Sequence, residues 1–76
     1  MNKRRREKLS SAMALLGKAS DVISSVLYEE QDCIYNIPEN LQGSERGMKM
    51  EKAIEELSEA IEYITNARES ITEAAE

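Results

Sequence analysis

The sequence contains no histidine, tryptophan or phenylalanine, and only one cysteine and one proline. Histidine is the most frequent general base, and no other activated nucleophile pair is present, so we expect no catalytic residue and no enzymatic activity. The glutamate and histidine motifs of helical metal sites are also absent, so we expect no metal and no cofactor. A lone cysteine cannot form an internal disulfide, which indicates a reducing compartment.

The sequence also lacks a long apolar run. Its longest uncharged stretch covers residues 9–17, far short of the roughly 20 residues that span a bilayer. The basic N-terminus is not followed by the apolar core of a signal peptide. We therefore predict a cytoplasmic protein with no membrane partner. A chain this short buries only about 60% of its unfolded surface, so it needs very regular helix packing or oligomerisation to be stable.

Two apolar heptad patterns predict an all-α fold of two long helices. With Leu9 at position a, the apolar residues of the first half occupy a, d and e, and Leu15 and Val22 at g widen the apolar stripe to about 160°. In the second half Met50 begins a similar pattern, whose d positions are all alanine: Ala53, Ala60, Ala67 and Ala74. Small residues at d allow two helices to pack closely. Cys33, at d of the first helix, is predicted to be buried.

The segment between the two patterns predicts a turn. Pro38 stops helix 1 near Asn36, and Gly43 is free to adopt a positive φ at the end of the turn. Ser44 is a candidate N-cap for helix 2, with Glu45 in its first turn. The predicted organisation is a single domain with a basic arm that starts helix 1 (1–8), helix 1 (9–36), a turn (37–47) and helix 2 (48–75).

Because the connection is short, the two helices are expected to form an antiparallel hairpin. Folding about residue 42 pairs positions whose numbers add to about 83. Ile23 is then expected near Ala60, and Leu16 near Ala67.

Helix 1 is predicted to be central in a homo-oligomer. Between residues 9 and 28 its only charges are Lys18 and Asp21, whereas position f of helix 2 is a row of glutamates. Small residues beside a wide apolar stripe are typical of a helix that contacts other helices. We predict a homodimeric four-helix bundle or a coiled-coil-like oligomer, with an interface formed by Leu15, Leu16, Val22, Ile23 and Val26.

The charge is uneven along the chain: residues 1–8 carry a net +4, and residues 9–76 carry −9 of the total of −5. The clustered cations are candidate nucleic-acid contacts, namely Lys3, Arg4, Arg5, Arg6 and Lys8. The competing interpretation is that the hairpin places them beside Glu69, Glu73 and Glu76, whose charge they offset. No aromatic residue interleaves the arm to stack on bases, which favours this second interpretation.

The turn is the candidate partner-binding surface. It is more polar than a chain reversal requires, and two tyrosines one heptad apart lie away from the predicted contact between the helices. Tyrosine is enriched at protein interfaces, and packing of these tyrosines on the turn is the alternative. The candidate partner-binding residues are Tyr28, Tyr35, Glu39, Asn40, Gln42 and Arg46.

The stretch NIPENLQGSERGMKMEKAIEELSEAIEYI resembles a group of short, largely uncharacterised proteins encoded by phages, prophages and mobile elements of Gram-positive bacteria. In that group a sequence similar to NIPENLQGSER precedes a helix patterned like EKAIEELSEAI. The likeness covers residues 28–64 and is most specific at 37–46, and Gly47 and Met48 depart from the group's pattern. It implies a mobile-element origin and a bacterial host cell, and it brings no activity.

The sequence therefore predicts a non-enzymatic helical interaction module that binds a host or viral protein in a counter-defence or regulatory role. One alternative is a nucleic-acid-associated protein that uses the basic arm. Salt-dependent DNA binding that is lost with the arm would favour it. The other alternative is an oligomeric sponge for a small ligand, which a polar cavity between hairpins would favour.

Overall fold

The computed structural model describes residues 1–41 and 43–76. It contains two long helices, α1 (Lys3–Tyr35) and α2 (Glu45–Ala75), and the connection between them includes a short 3-10 helix, Glu39–Leu41. No strand occurs in these residues, and α1 packs against α2. The result is a rod with Cα extents of 58 × 15 × 12 Å. The predicted all-α hairpin of two long helices is confirmed.

The helix α1 begins at Lys3, within the basic arm, because the arm carries its own cap. The Asn2 side-chain oxygen accepts a hydrogen bond from the Arg5 backbone N–H at 2.8 Å, and asparagine is among the strongest N-caps. One turn later, Lys3 Nζ lies 3.9 Å from a carboxylate oxygen of Glu7. The whole arm from Lys3 onward is therefore helical.

The helix α1 ends at Tyr35, and a series of local hydrogen bonds reverses the chain. Asn36 caps the helix, since its side-chain amide donates to the Asp32 carbonyl at 2.8 Å. The Leu41 N–H then donates to the Pro38 carbonyl at 2.8 Å, and the Ser44 N–H donates to the Leu41 carbonyl at 3.1 Å.

These tight turns form with ordinary backbone angles, as none of the described residues, glycines included, has a positive φ.

The helix α2 begins at Glu45, inside the segment predicted as turn. Ser44 is its N-cap, as predicted, and the Ser44 Oγ accepts a hydrogen bond from the Gly47 N–H at 3.3 Å. Glycine is a weak helix former, and for that reason helix 2 was predicted to begin only after Gly47, at residue 48. The Ser44 cap outweighs the low helix propensity of Gly47. Gly47 is also the only buried residue in the described part of the chain.

The contact between the helices, called here the hairpin seam, consists of half-buried residues three or four positions apart. Its main apolar members on α1 are Leu9, Met13, Leu16, Ile23, Leu27 and Ile34. Its apolar members on α2 are Met50, Ala53, Ile54, Leu57, Ala60, Ile61, Ile64, Ile71 and Ala75. Each helix covers only one side of the other, so no hydrophobic side chain of the described residues is fully buried.

The register of the hairpin agrees with the predicted pairing. Cys33 and Met50 line one groove near the turn, and Leu9 and Ala75 line another at the open end. Their residue numbers add to 83 and 84, against a predicted sum of about 83.

Toward the end of α2 the hairpin seam moves from heptad position d to position e. Ala67 and Ala74 are exposed, whereas Ala75 is half-buried, and the Arg68 guanidinium lies against Gly17. A strict heptad repeat drifts by about 20° per seven residues on a straight helix, which accounts for the direction of the change. Ala67 therefore lies outside the half-buried part of the hairpin seam, and its predicted proximity to Leu16 stays a prediction.

On α1 the hairpin seam runs through positions a and e, and position d lies outside it from residue 19 onward. Ala19 and Val26 are exposed, and so is Cys33. The prediction that Cys33 is buried is therefore wrong for the hairpin, because the width of the apolar stripe concealed which part of it contacts α2.

Substitution of Gly17 by alanine is expected to stabilise the hairpin by up to about 1 kcal/mol. Gly17 lies inside α1, where alanine is the better helix former. An added Cβ would lie 3.6 Å from the Arg68 guanidinium carbon, an ordinary contact with the end of a flexible side chain. Urea denaturation at fixed protein concentration measures the change. Ala14→Gly, on the exposed side of α1, should have the opposite effect, and a loss of stability in Gly17→Ala would show that the backbones approach more closely there.

Candidate functional site

The largest exposed apolar surface of α1 lies on one side of the helix. Leu15 is 68% exposed, Val22 60% and Val26 42%, and Ala19 between them is also exposed. Residues three, four and seven positions apart share a helix face. These four residues, called here the outer stripe, therefore form a continuous apolar strip beside the hairpin seam.

The helix α2 adds to the same side of the hairpin. Val26 of the outer stripe lines a groove together with Ala53 and Glu56 of α2. Tyr63 lies seven residues beyond Glu56, so it shares that face of α2, and its side chain is exposed. On this side of the hairpin the outer stripe is thus bordered by Ala53 and Glu56 of α2.

The structure divides the five predicted interface residues into two groups. Leu16 and Ile23 are half-buried in the hairpin seam, whereas Leu15, Val22 and Val26 are exposed. Within this second group, Leu15 and Val22 have more than half of their surface free to contact another molecule.

The predicted nucleic-acid residues Lys3, Arg4, Arg5, Arg6 and Lys8 are all exposed. Successive helical residues lie about 100° apart, so the three arginines point in different directions and do not share one face. Lys3 pairs with Glu7. The other two ion pairs of the described residues join Lys49 to Glu45 and Lys52 to Glu56.

No ion pair in the described part of the chain joins the arm to the acidic end of α2. Arg6 and Glu76 line the same groove at the open end of the hairpin. The hairpin therefore brings the two charged ends together, as predicted, without a direct contact between their charged atoms.

The candidate partner-binding residues near the turn do not form a single surface. Tyr28 and Tyr35 are exposed, Tyr35 by 85%, so neither tyrosine packs on the turn. Arg46 and Cys33 line a groove at the turn, and Cys33 lies about 200° around the helix from Tyr35. Glu39 and Asn40 are exposed in the connection, and Gln42 lies outside the described residues.

The remaining features of the described residues give no chemical site. No group of three or more cysteine, aspartate or glutamate side chains is arranged to hold a metal ion. The grooves along the hairpin seam are shallow and open to solvent. Neither helix has a stretch that is long and apolar enough to cross a membrane.

No protein-family model, curated protein or solved structure matches the chain.

Proposed function

We propose that the chain is a non-enzymatic helical hairpin that forms a homo-oligomer through its outer stripe and presents its turn to a protein of a bacterial host or of a virus. One observation carries the proposal. The large apolar side chains of the outer stripe are exposed together on one side of the rod, while no hydrophobic side chain of the described residues is fully buried.

The energetic argument starts from the unburied apolar area. Full burial of a leucine or valine side chain contributes about 1.5–3 kcal/mol, and the hairpin leaves most of that contribution unused at Leu15 and Val22. If two copies cover each other's outer stripes, each copy gains this free energy of burial. A small two-helix chain without a closed core is stabilised in this way when it associates.

The end of the rod at the turn is the part of the hairpin that such an oligomer leaves open. Tyr28 and Tyr35 extend from α1 away from the outer stripe, and Glu39, Asn40 and Arg46 are also exposed in this part of the chain. Exposed tyrosines and polar loop residues on a rigid support are typical of protein-binding sites. The resemblance of the turn to proteins of phages and mobile elements supports a host or viral protein as the partner.

The oligomer is tested by light scattering and circular dichroism over a range of protein concentrations. We expect a dimer or larger species at micromolar concentration and a loss of helix on dilution, because association and folding are linked. A monomer that keeps its full helix content on dilution would overturn the proposed oligomer.

Replacement of Glu39 and Asn40 by alanine, together with Tyr35→Ala, is expected to weaken partner capture and leave the oligomer intact. All three side chains are exposed, and surface substitutions away from helix caps usually change stability by less than about 0.5 kcal/mol. The measurement is affinity capture from host cells with mass spectrometry, after circular dichroism and light scattering have shown that the variant is folded.

Glu59→Ala with Glu62→Ala, on the exposed side of α2, is the matched control for this experiment. Undiminished capture by the folded turn variant, with reduced capture by the control, would place the partner on the glutamates of α2.

A nucleic-acid-associated function is the second candidate, because Arg4, Arg5 and Arg6 are exposed and make no ion pair with any described residue. Binding through phosphate contacts must weaken steeply as salt rises. Fluorescence anisotropy with a DNA duplex at low and physiological salt, on the native chain and on a variant with the three arginines changed to alanine, distinguishes the two functions.

A further inference from the structure

We propose that two copies of the chain pair antiparallel through their outer stripes, about a two-fold axis that crosses α1 between Lys18 and Ala19. This inference rests on the proposed homo-oligomer and adds the direction and the register of the pairing. It names a second copy of this chain as the molecule that covers the outer stripe.

The first argument is the symmetry of the apolar residues. Leu15 and Val22 lie at equal distances on either side of the point between Lys18 and Ala19. In an antiparallel pair with that centre, Leu15 of each copy meets Val22 of the other, and the two Ala19 residues meet near the axis. An isologous interface requires such a self-complementary arrangement, in which residue i contacts residue j and residue j contacts residue i.

The second argument is the charge at the two ends of the outer stripe. Lys8 lies at the same heptad position as Leu15 and Val22 on one side of the centre, and Glu29 lies at that position on the other side. Antiparallel pairing therefore brings Lys8 of each copy beside Glu29 of the other, which is the complementarity that fixes the orientation of partners.

The third argument is that these two charges have no partner in their own chain. Both side chains are exposed, and neither makes an ion pair with a described residue. Lys8 and Glu29 lie about 32 Å apart along α1, at 1.5 Å per residue, so they cannot meet within one copy. Their complementarity is useful only between copies.

The parallel arrangement of the same surfaces brings like charges together. A parallel pair of outer stripes would place Lys8 against Lys8 and Glu29 against Glu29. Like charges in contact across an interface oppose association, so the antiparallel pairing is favoured.

Cross-linking through single cysteines tests the geometry directly. The variant Ala19→Cys with Cys33→Ser should form a covalent dimer with a short bis-maleimide reagent, because both copies of residue 19 lie near the axis. The native chain, whose only cysteine is the exposed Cys33, should form none, since the two sulfurs would be about 43 Å apart at 1.5 Å per residue. Efficient cross-linking of the native chain, with none in the Ala19→Cys variant, would overturn the antiparallel pairing.

A charge exchange tests the register. Lys8→Glu and Glu29→Lys alone each place like charges at both ends of the pair, and we expect the dimer dissociation constant to rise about 5- to 10-fold. Mixing the two variants, or combining both substitutions in one chain, restores opposite charges at every contact and should restore native affinity.

Neither substitution is expected to disturb the fold of a single copy. Lys8 and Glu29 are exposed and are not helix caps, and surface substitutions of this kind usually change stability by less than about 0.5 kcal/mol. Glu62→Lys, on the exposed side of α2, is the control and should leave association unchanged.

The outcomes separate this inference from the function on which it rests. A native chain that is monomeric in light scattering overturns the proposed oligomer and the inference together. A native dimer whose charge variants fail to rescue each other overturns the antiparallel register alone.

Discussion

Replacement of both Leu15 and Val22 by glutamate is expected to abolish the oligomer and to leave monomeric or unfolded chains. Both side chains are mostly exposed in the hairpin, so the glutamates are tolerated in a single copy and become unpaired charges only when a second copy covers them. Burial of an unpaired charge costs about 3 kcal/mol or more, which corresponds to at least about 100-fold weaker association. Light scattering and analytical ultracentrifugation at micromolar concentration measure the change.

A control at the neighbouring position separates the interface from the rest of the helix surface. Ala14 precedes Leu15 in the chain and is exposed, but it lies about 100° around the helix from the outer stripe. Ala14→Glu should therefore associate like the native chain, while the single variant Leu15→Glu should already associate more weakly. A doubly substituted chain that remains a dimer would show that the outer stripe is not the interface.

The elements of the hairpin could be predicted from the sequence because local signals and apolar patterns agree. Pro38 ends the first pattern, Ser44 supplies the cap of the second helix, and the apolar residues at position a lie in the hairpin seam on both helices. Periodicity and turn chemistry act over a few residues, so they can be read without the tertiary structure. No apolar pattern marks the first turns of α1, since Asn2, which caps the helix, precedes a run of charges.

The side of α1 that contacts α2 could not be predicted from the same pattern. An apolar stripe that spans positions a, d, e and g is wider than one neighbouring helix covers. The sequence therefore does not say which part of the stripe is used within the chain and which part is left for another copy. The structure assigns positions a and e to the hairpin seam and leaves Val22, Val26 and Cys33 outside it.

The sequence also did not predict which α2 residues contact α1 along the full length of the helix, for a related reason. The alanines at position d are equivalent in the sequence, but Ala53 and Ala60 are half-buried while Ala67 and Ala74 are exposed. A heptad repeat in the sequence does not show where the contact on a nearly straight helix shifts to another heptad position, since that depends on how the two helices cross.

The substitution Ala60→Leu is expected to destabilise the hairpin by about 1–3 kcal/mol, because extra methylene groups at a close helix contact force the side chains and backbones apart. Ala60 is half-buried in the hairpin seam, at the level where α1 presents Ile23 and Ser24. The outward substitution Glu62→Leu, at an exposed position two residues away, should change the free energy of unfolding by less than about 0.5 kcal/mol.

Urea denaturation measures both variants at the same protein concentration, since the stability of an associating chain depends on concentration. Equal effects of the two substitutions would mean that α2 contacts α1 through a different side. A stabilising effect of Ala60→Leu would mean that the hairpin seam is loosely packed there and that the leucine fills unoccupied space between the helices.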